Sequence, residues 1–428
     1  MTENGTVLRD ATVVIANGRI IALEGPIPAG AQRINGRGKW LIPGLTDMHV
    51  HLESDSNMRP KKLSTEPASI FFDTQDIMTP YIANGVTQIL NLESRPESFG
   101  QRNEIAKGRV LGPHIALAAV INGGKSQGRI ANTPSDGRQA VRDAKAEGYA
   151  FIKPYSDLDT ETFVAIIDEA ATQGMKTVGH IPSAFEGKLS TAFVPGFDMV
   201  AHAEEFSKHS AEFTDADAAA YAALAKRNGT WLTPTLTVMR WIASETRSLD
   251  EMRASPTLQY VHPLLQSKWL TANRYNQRST PKLIAYFDRM VVFHEKLVRA
   301  FKAAGVPMVA GTDSLTSGVV GGFSLHDELE LLVGAGLTPQ EALTSATRLP
   351  STWLGVDSDR GTIEVGKRAD LLLLDADPLA NIANTRKVAG VMLGGRWLGR
   401  ATLTAMLADL SERNTARKGQ YDWNKLIR

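Results

Sequence analysis

Cysteine is absent from the 428 residues. Disulfides and thiolate metal sites are thereby excluded, and any bound metal must be held by nitrogen and oxygen. Charge of one sign is missing as well: 47 Lys and Arg stand against 46 Asp and Glu, a formal charge of +1. Nothing in that balance points to nucleic acid or an anionic membrane surface. No run of about 18 apolar residues occurs, so no transmembrane helix is read. A Gly-x-Gly-x-x-Gly loop and a Walker A loop are also lacking, which removes the usual support for a doubly wound nucleotide-binding sheet.

What is present is ordinary globular material, 43% apolar and 22% charged, in a chain long enough for one large domain and an accessory one. Residues 6–45 read as short strands (Val7-Leu8, Thr12 to Ile15, Arg19 to Leu23, Lys39 to Ile42) separated by turns at Asn17-Gly18 and Pro26 to Gly30. From Leu45 the pattern changes to apolar strands alternating with helical stretches. Strand candidates are Leu45 to His51, Val86 to Leu90, His114 to Val120, Tyr149 to Lys153, Lys176 to His180, Asp198 to His202, Thr230 to Thr235 and Val306 to Gly311, with a mostly helical insertion over about 236–303. Eight alternations over about 300 residues are what a (β/α)8 barrel requires. From Gly361 the β pattern returns (Gly361 to Val365, Ala369 to Asp375, Lys387 to Leu393, Arg396 to Leu398), followed by a helix and a charged tail. The expected organisation is an α/β TIM-type barrel over 45–354, with a small β-sandwich domain assembled from 1–44 and 355–428.

The chemistry is expected at the C-terminal ends of the barrel strands. Strand one closes in Leu-Ile-Pro-Gly-Leu-Thr-Asp-Met-His-Val-His-Leu (41–52), where His49 and His51 share one face because strand side chains repeat every second residue. The other strand ends supply Lys153, His180, His202 and Asp313. Taken alone, a His-x-His pair is more often chance or surface. Four of nine histidines falling on strand ends is not. His, Asp and carboxylate-like ligands suit zinc. Lys153 is the odd member. Its ordinary reading is a snorkelling surface lysine, or one paired with Asp157. Its functional reading is a carbamate: a desolvated lysine with lowered pKa takes up CO2 and becomes an anionic ligand able to bridge two metals.

Those stretches, with FIKPYSD (151–157), TVGHIP (177–182), MVAHAEE (199–205), AGTDS (310–314), FSLHDELELLVGAGLTPQEALTSAT (323–347) and GTIEVGKRADLLLLDADP (361–378), resemble the amidohydrolase superfamily in its two-metal hydrolase branch, over nearly the whole chain. Within it the chain looks most similar to the imidazolonepropionase-like amidases, a group that includes prolidase-type dipeptidases and ochratoxin A amidohydrolases. The resemblance implies that His49, His51 and Asp313 hold the more buried of two divalent metals, most plausibly zinc. His180 and His202 would hold the other, with carboxylated Lys153 between them. It also implies a homo-oligomer acting on a small-molecule amide, with hydrolysis by a metal-activated hydroxide and Asp313 as general base, then acid. Two departures stand out. Relatives carry histidine after a glycine pair where this chain has Gly123-Gly124-Lys125, and the glutamate that marks deaminases is replaced after His180 by Ile181-Pro182-Ser183.

The substrate is less legible. Trp231, Trp241, Tyr260 and Trp269 could build an apolar pocket, although core packing is their commoner use. Ser54, Lys125, Tyr155 and His326 are candidate polar contacts to substrate, each with an equally ordinary reading as a loop cap or packing residue. Expected activities are an amidase or carboxypeptidase for N-acyl amino acids or dipeptides, plausibly ochratoxin A to ochratoxin alpha and phenylalanine. The competing expectations are a deaminase or cyclic-amide or lactone hydrolase, and a metal-free scaffold. The chain enters at what reads as a hairpin turn (Glu3, Asn4, Gly5), so an upstream strand and leader are expected to precede it. As given, the expected location is cytoplasmic, or periplasmic or secreted if a leader was removed.

Overall fold

Alternation of β-branched runs with capped helices produces a parallel barrel. In the computed structural model, residues 7–53, 72–124 and 128–426 are described. The strands are β1 (Val14–Ala16), β2 (Arg19–Ala22), β3 (Trp40–Pro43), β4 (Leu45–Val50), β5 (Val86–Asn91), β6 (His114–Asn122), β7 (Arg129–Ile130), β8 (Phe151–Pro154), β9 (Lys176–Gly179), β10 (Met199–Ala201), β11 (Trp231–Thr233), β12 (Leu371–Leu374), β13 (Val388–Leu393) and β14 (Arg396–Gly399). β4, β5, β6, β8, β9, β10 and β11 pair in that order, all parallel, with β7 a short addition to β6. The ring is completed by the segment around 308–314. It joins β11 through a Leu232–Met308 bridge and β4 through a Val50–Ser314 bridge, with Met48 N donating to Ala310 O and Asp313 N to His49 O. The expected eighth strand is thus present as an extended segment held by bridges.

Helix ends follow the capping residues. The side chains of Thr133, Asp159, Thr214, Thr280 and Thr338 accept backbone amides at helix starts, and Gly148, Gly229 and Gly305 close helices with left-handed backbone. The insertion comprises helices Leu236–Arg247, Asp250–Ala254, Pro263–Thr271, Arg274–Gln277 and Pro281–Ala304. No helix among the described residues is long and apolar enough to cross a membrane.

A separate antiparallel sheet, β14-β13-β12-β3, draws on both chain ends, since β3 pairs with β12 from Trp40–Leu374 to Pro43–Leu371. The β1–β2 hairpin turns at Asn17-Gly18, both with positive φ, as the sequence led us to expect. Val7-Leu8 and Gly361 to Val365, expected as strands, are not: neither is paired, and Val7, Leu8 and Val365 are exposed. The helix Arg400–Arg417 leaves β14 and returns to the barrel, where Arg413 pairs with Asp76 on the helix Thr74–Ala83.

The barrel interior is closed by an apolar layer. Met48, Leu90, Ala118, Phe151, Val178, Met199 and Val309 come from seven different barrel strands and pack with Trp353, whose indole stacks on Phe151. Trp231 packs against this layer. Two residues above Phe151 and Val178, on the same face of their strands, stand Lys153 and His180.

Candidate metal centre

Six side chains named from the sequence meet above that layer. Asp313 Oδ1 lies 2.8 Å from His51 Nε2 and 3.2 Å from His49 Nε2. Lys153 Nζ is 3.4 Å from His49 Nε2. The His49 and His202 rings are 4.4 Å apart, and those of His180 and His202 are 5.1 Å apart. His49, His202 and Asp313 each turn a ligand atom to within 4.8 Å of the others. Tyr155 joins the group, its ring 4.2 Å from His180 and 5.4 Å from Lys153 Nζ.

The backbone is bent to do this. His202, Thr235 and Asp313 all have positive φ, at 79°, 51° and 60°, a conformation that costs about 1–3 kcal/mol each and is kept where the surroundings enforce it. Asp47 is the enforcing group under His49 and Asp313. Its fully buried carboxyl accepts from the amides of His49 and Thr312 and from the Thr312 hydroxyl. Gly311 is required at the seam, because a Cβ there would stand 2.5 Å from Thr233 Oγ1 and 2.9 Å from the His49 backbone.

Hydrogen bonds behind the histidines fix which nitrogen faces inward. His180 Nδ1 is 2.8 Å from Glu205 Oε1 and 3.1 Å from Ser156 Oγ, and His202 Nδ1 is 2.8 Å from Thr235 Oγ1. Each ring is left with Nε2 toward the centre, the arrangement metal-bound histidines use. Burial, reinforced by Lys153 and the neighbouring rings, lowers the pKa of His49 well below its ordinary value; burial lowers His180 as well and takes His202 down to about 3. All three are therefore neutral and able to donate a lone pair. Burial opposes ionisation of Asp313, but the hydrogen bond from His51 and the charges around it outweigh this and keep it a carboxylate. Glu205 behaves likewise: burial opposes its charge, while His180 and Lys208 hold its pKa down at about 2. Lys153 is 2% exposed, its pKa lowered by burial, and among the described residues no carboxylate lies within 4 Å of its ammonium.

The donor set of four imidazoles and a carboxylate, with a buried amine among them, fits hard or borderline divalent ions. The sequence profile of the amidohydrolase family matches residues 40–398. The chain belongs to the amidohydrolase family. It is therefore an enzyme, a hydrolase acting on carbon–nitrogen bonds, and the His/Asp cluster agrees with the metal dependence typical of amidohydrolases. The imidazolonepropionase of Caulobacter vibrioides (strain NA1000 / CB15N) is 25% identical over 422 residues, covering 88% of this chain and 90% of that one. Two solved structures share the fold: a Xaa-Pro dipeptidase with bound methionine (20% identity, TM-score 0.67, 91% and 95% of the two chains) and the A. niger ochratoxinase (20%, 0.66, 92% and 92%).

Of the other candidate contacts in this amidohydrolase, His326 is a correction. Its ring, on the helix Phe323–Gly334, is fully buried with Nδ1 2.9 Å from Thr385 Oγ1, so it packs that helix against the segment Ile382–Arg386. Ser54 and Lys125 lie outside the described residues. The aromatics divide. Tyr260 and Trp269, with Phe72, Tyr81 and His262, line a cleft beside His51 of about 560 Å3, its open mouth included. Trp241 is instead a core residue, closely covered by Gly318. Sequence reasoning missed Asp47, Ser156 and Thr235 as supports. It noted Glu205 only as following His202, although the Ala-Glu-Glu after that histidine was the available signal.

Proposed function

We propose that this amidohydrolase is a two-metal amidase that cleaves the amide of an N-acyl amino acid or dipeptide-like substrate. The observation that carries the reading is the convergence of His49, His51, Lys153, His180, His202 and Asp313 at one end of the barrel, with a buried lysine that lacks a carboxylate partner among the described residues. His49, His51 and Asp313 would hold one divalent ion, zinc in the first instance, and His180 and His202 would hold the other. Burial lowers the pKa of the Lys153 amine, which favours its addition to CO2 with formation of an N–C bond and release of a proton, and the resulting carbamate would give the site a further anionic oxygen ligand. Such ions supply a Lewis acid for the amide carbonyl and a water of pKa about 7.

The protein's own part is positioning and proton transfer. Asp313 accepts the proton of the attacking water and returns it to the leaving nitrogen. Glu205 and Thr235 keep the His180 and His202 rings turned inward. Tyr155, its hydroxyl held neutral by burial, stands beside His180 as a donor to substrate oxygen. Ochratoxin A, cleaved to ochratoxin alpha and phenylalanine, is the first compound to try, because the cleft beside His51 is walled by aromatic rings. Hydrolysis of a cyclic amide on the same residues is the second reading, favoured by the likeness to an imidazolonepropionase along 88% of the chain.

The test is elemental analysis of the wild type and Lys153→Ala side by side. The reading expects about two ions per chain in the wild type and one or none in the variant. Metal content unchanged by the substitution would remove Lys153 from the ligand set and return the site to single-metal chemistry.

A further inference from the structure

Cleavage of an N-acyl amino acid leaves one question open, namely what recognises the carboxylate of the amino acid. A cation near the centre without a carboxylate of its own is needed, and the insertion supplies one. Arg274 opens the helix Arg274–Gln277, and the residue before it is a strong anchor. Asn273 Oδ1 accepts from the amides of Tyr275 and Asn276, and its Nδ2 donates to Glu245 Oε2 and to Ser317 Oγ, both at 2.9 Å. Ser317 belongs to the turn that follows Asp313, whose own Oδ2 accepts from Thr316 Oγ1. Arg274 is therefore tied, one residue away, to the loop that carries Asp313.

The guanidinium stacks 4.8 Å over the Tyr275 ring and donates to the Tyr275 hydroxyl at 2.8 Å. Its other electrostatic neighbours are Tyr155 and Glu204, beside His180 and His202, and Glu245 and Lys268 within the insertion. The exposed Arg274 side chain thus lies within electrostatic reach of the ends of β8 and β10, and through Asn273 it is tied to the Asp313 loop. Among the described residues no carboxylate lies within 4 Å of it, and Tyr275 is its one hydrogen-bond partner. A guanidinium has five N–H donors in a fork that matches a carboxylate. Stacking on Tyr275 holds that fork in one plane before any ligand arrives.

We propose that Arg274 receives the free carboxylate of the substrate's amino-acid half, so that this enzyme prefers amides with a C-terminal carboxylate. This inference rests on the amidase reading above and names the substrate class for it. It also assigns a task to the insertion, which the metal chemistry does not need.

The experiment uses the full, zinc-loaded chain and two probes that differ only in charge, N-benzoyl-L-phenylalanine and N-benzoyl-L-phenylalaninamide. The wild type is expected to favour the acid in kcat/KM by about 10- to 100-fold, the range of a hydrogen bond to a charged group. Arg274→Ala should abolish that preference, mainly through KM for the acid, and added guanidinium at a non-denaturing concentration should restore part of it. Arg274→Lys, which keeps the charge but not the fork, should fall between. A preference that survives in Arg274→Ala overturns the proposal. Calorimetric binding of both compounds to the same proteins separates this question from hydrolysis. If neither amide is cleaved, the amidase reading fails for this class, and selective loss of acid binding in Arg274→Ala still upholds the carboxylate site. Equal binding of acid and amide by the wild type overturns it.

Discussion

Glu205 shows how much of this centre depends on a residue that touches no substrate. One oxygen of its fully buried carboxylate accepts from the Ile181 amide, and the other meets both His180 Nδ1 and the ammonium of the exposed Lys208. Replacing it with glutamine keeps the shape but removes the charge that fixes the His180 proton on Nδ1. Glu205→Gln is expected to weaken metal binding by about 10- to 100-fold, read by competition with a chelator, with little change in the circular dichroism of the fold. Metal binding at wild-type affinity would show that His180 needs no such partner. The Ala-Glu-Glu after His202 apart, supports of this kind were not legible in the sequence. His49, His51, Lys153, His180, His202 and Asp313 were, because the two-residue period and the strand-end position mark them. Asp47 and Thr235 act across strands, and no spacing along the chain encodes a contact between neighbours in a barrel. His326 misled for a related reason: it follows Asp313 closely in sequence, but the helix Phe323–Gly334 turns that face toward the segment Ile382–Arg386.

At the level of elements, the antiparallel sheet and the barrel are joined by Asp370. Its 5%-exposed side chain accepts from the Gly394 amide, lies 3.1 Å from His114 Nε2 at the start of β6, and meets Arg368. Burial opposes ionisation, but the hydrogen bond and charge of His114, the Gly394 amide and the Arg368 charge outweigh it and lower the pKa. A carboxyl with a depressed folded pKa stabilises fully above its unfolded value of about 3.8 and loses that contribution as pH falls through the lowered one. Asp370→Asn is expected to cost about 1–3 kcal/mol at neutral pH and to flatten the acid limb of the stability curve, both measured by denaturant unfolding between pH 3 and 7 (a range chosen to bracket the unfolded value). An unchanged acid limb would remove Asp370 as its cause. Most elements were legible from period and caps. The helix Arg348–Leu354 was not, since Pro350 reads as a breaker; it sits in the first turn, where no amide donor is needed.

Over the whole molecule, the helix Arg400–Arg417 has a structural part. The helix Arg400–Arg417 buries Leu403 and Leu410, pairs Arg413 with Asp76, and places Leu410 and Asn414 on the wall of the cleft beside His51. Asn414 also donates to the Gln259 carbonyl in the insertion, and Trp423 closes over Lys268. Ending the chain at Gly399 exposes those apolar groups, each worth about 1.5–3 kcal/mol. The truncated protein is expected to melt several degrees lower and to bind aromatic amides more weakly, as thermal unfolding and KM would report. A truncated protein with wild-type Tm would mean the helix packs without contributing. This long-range role was invisible in sequence, where the segment reads as a helix and charged tail.

The apolar layer from Met48 to Trp353 seals the barrel on the side away from the cleft. Among the described residues the cleft beside His51 is the open approach to the centre. On the proposed chemistry, ions, CO2 and substrate would share that approach, and whatever occupies the mouth would detain what lies behind it. A chelator should then strip the ions more slowly as product accumulates, so that the enzyme's working lifetime lengthens under load.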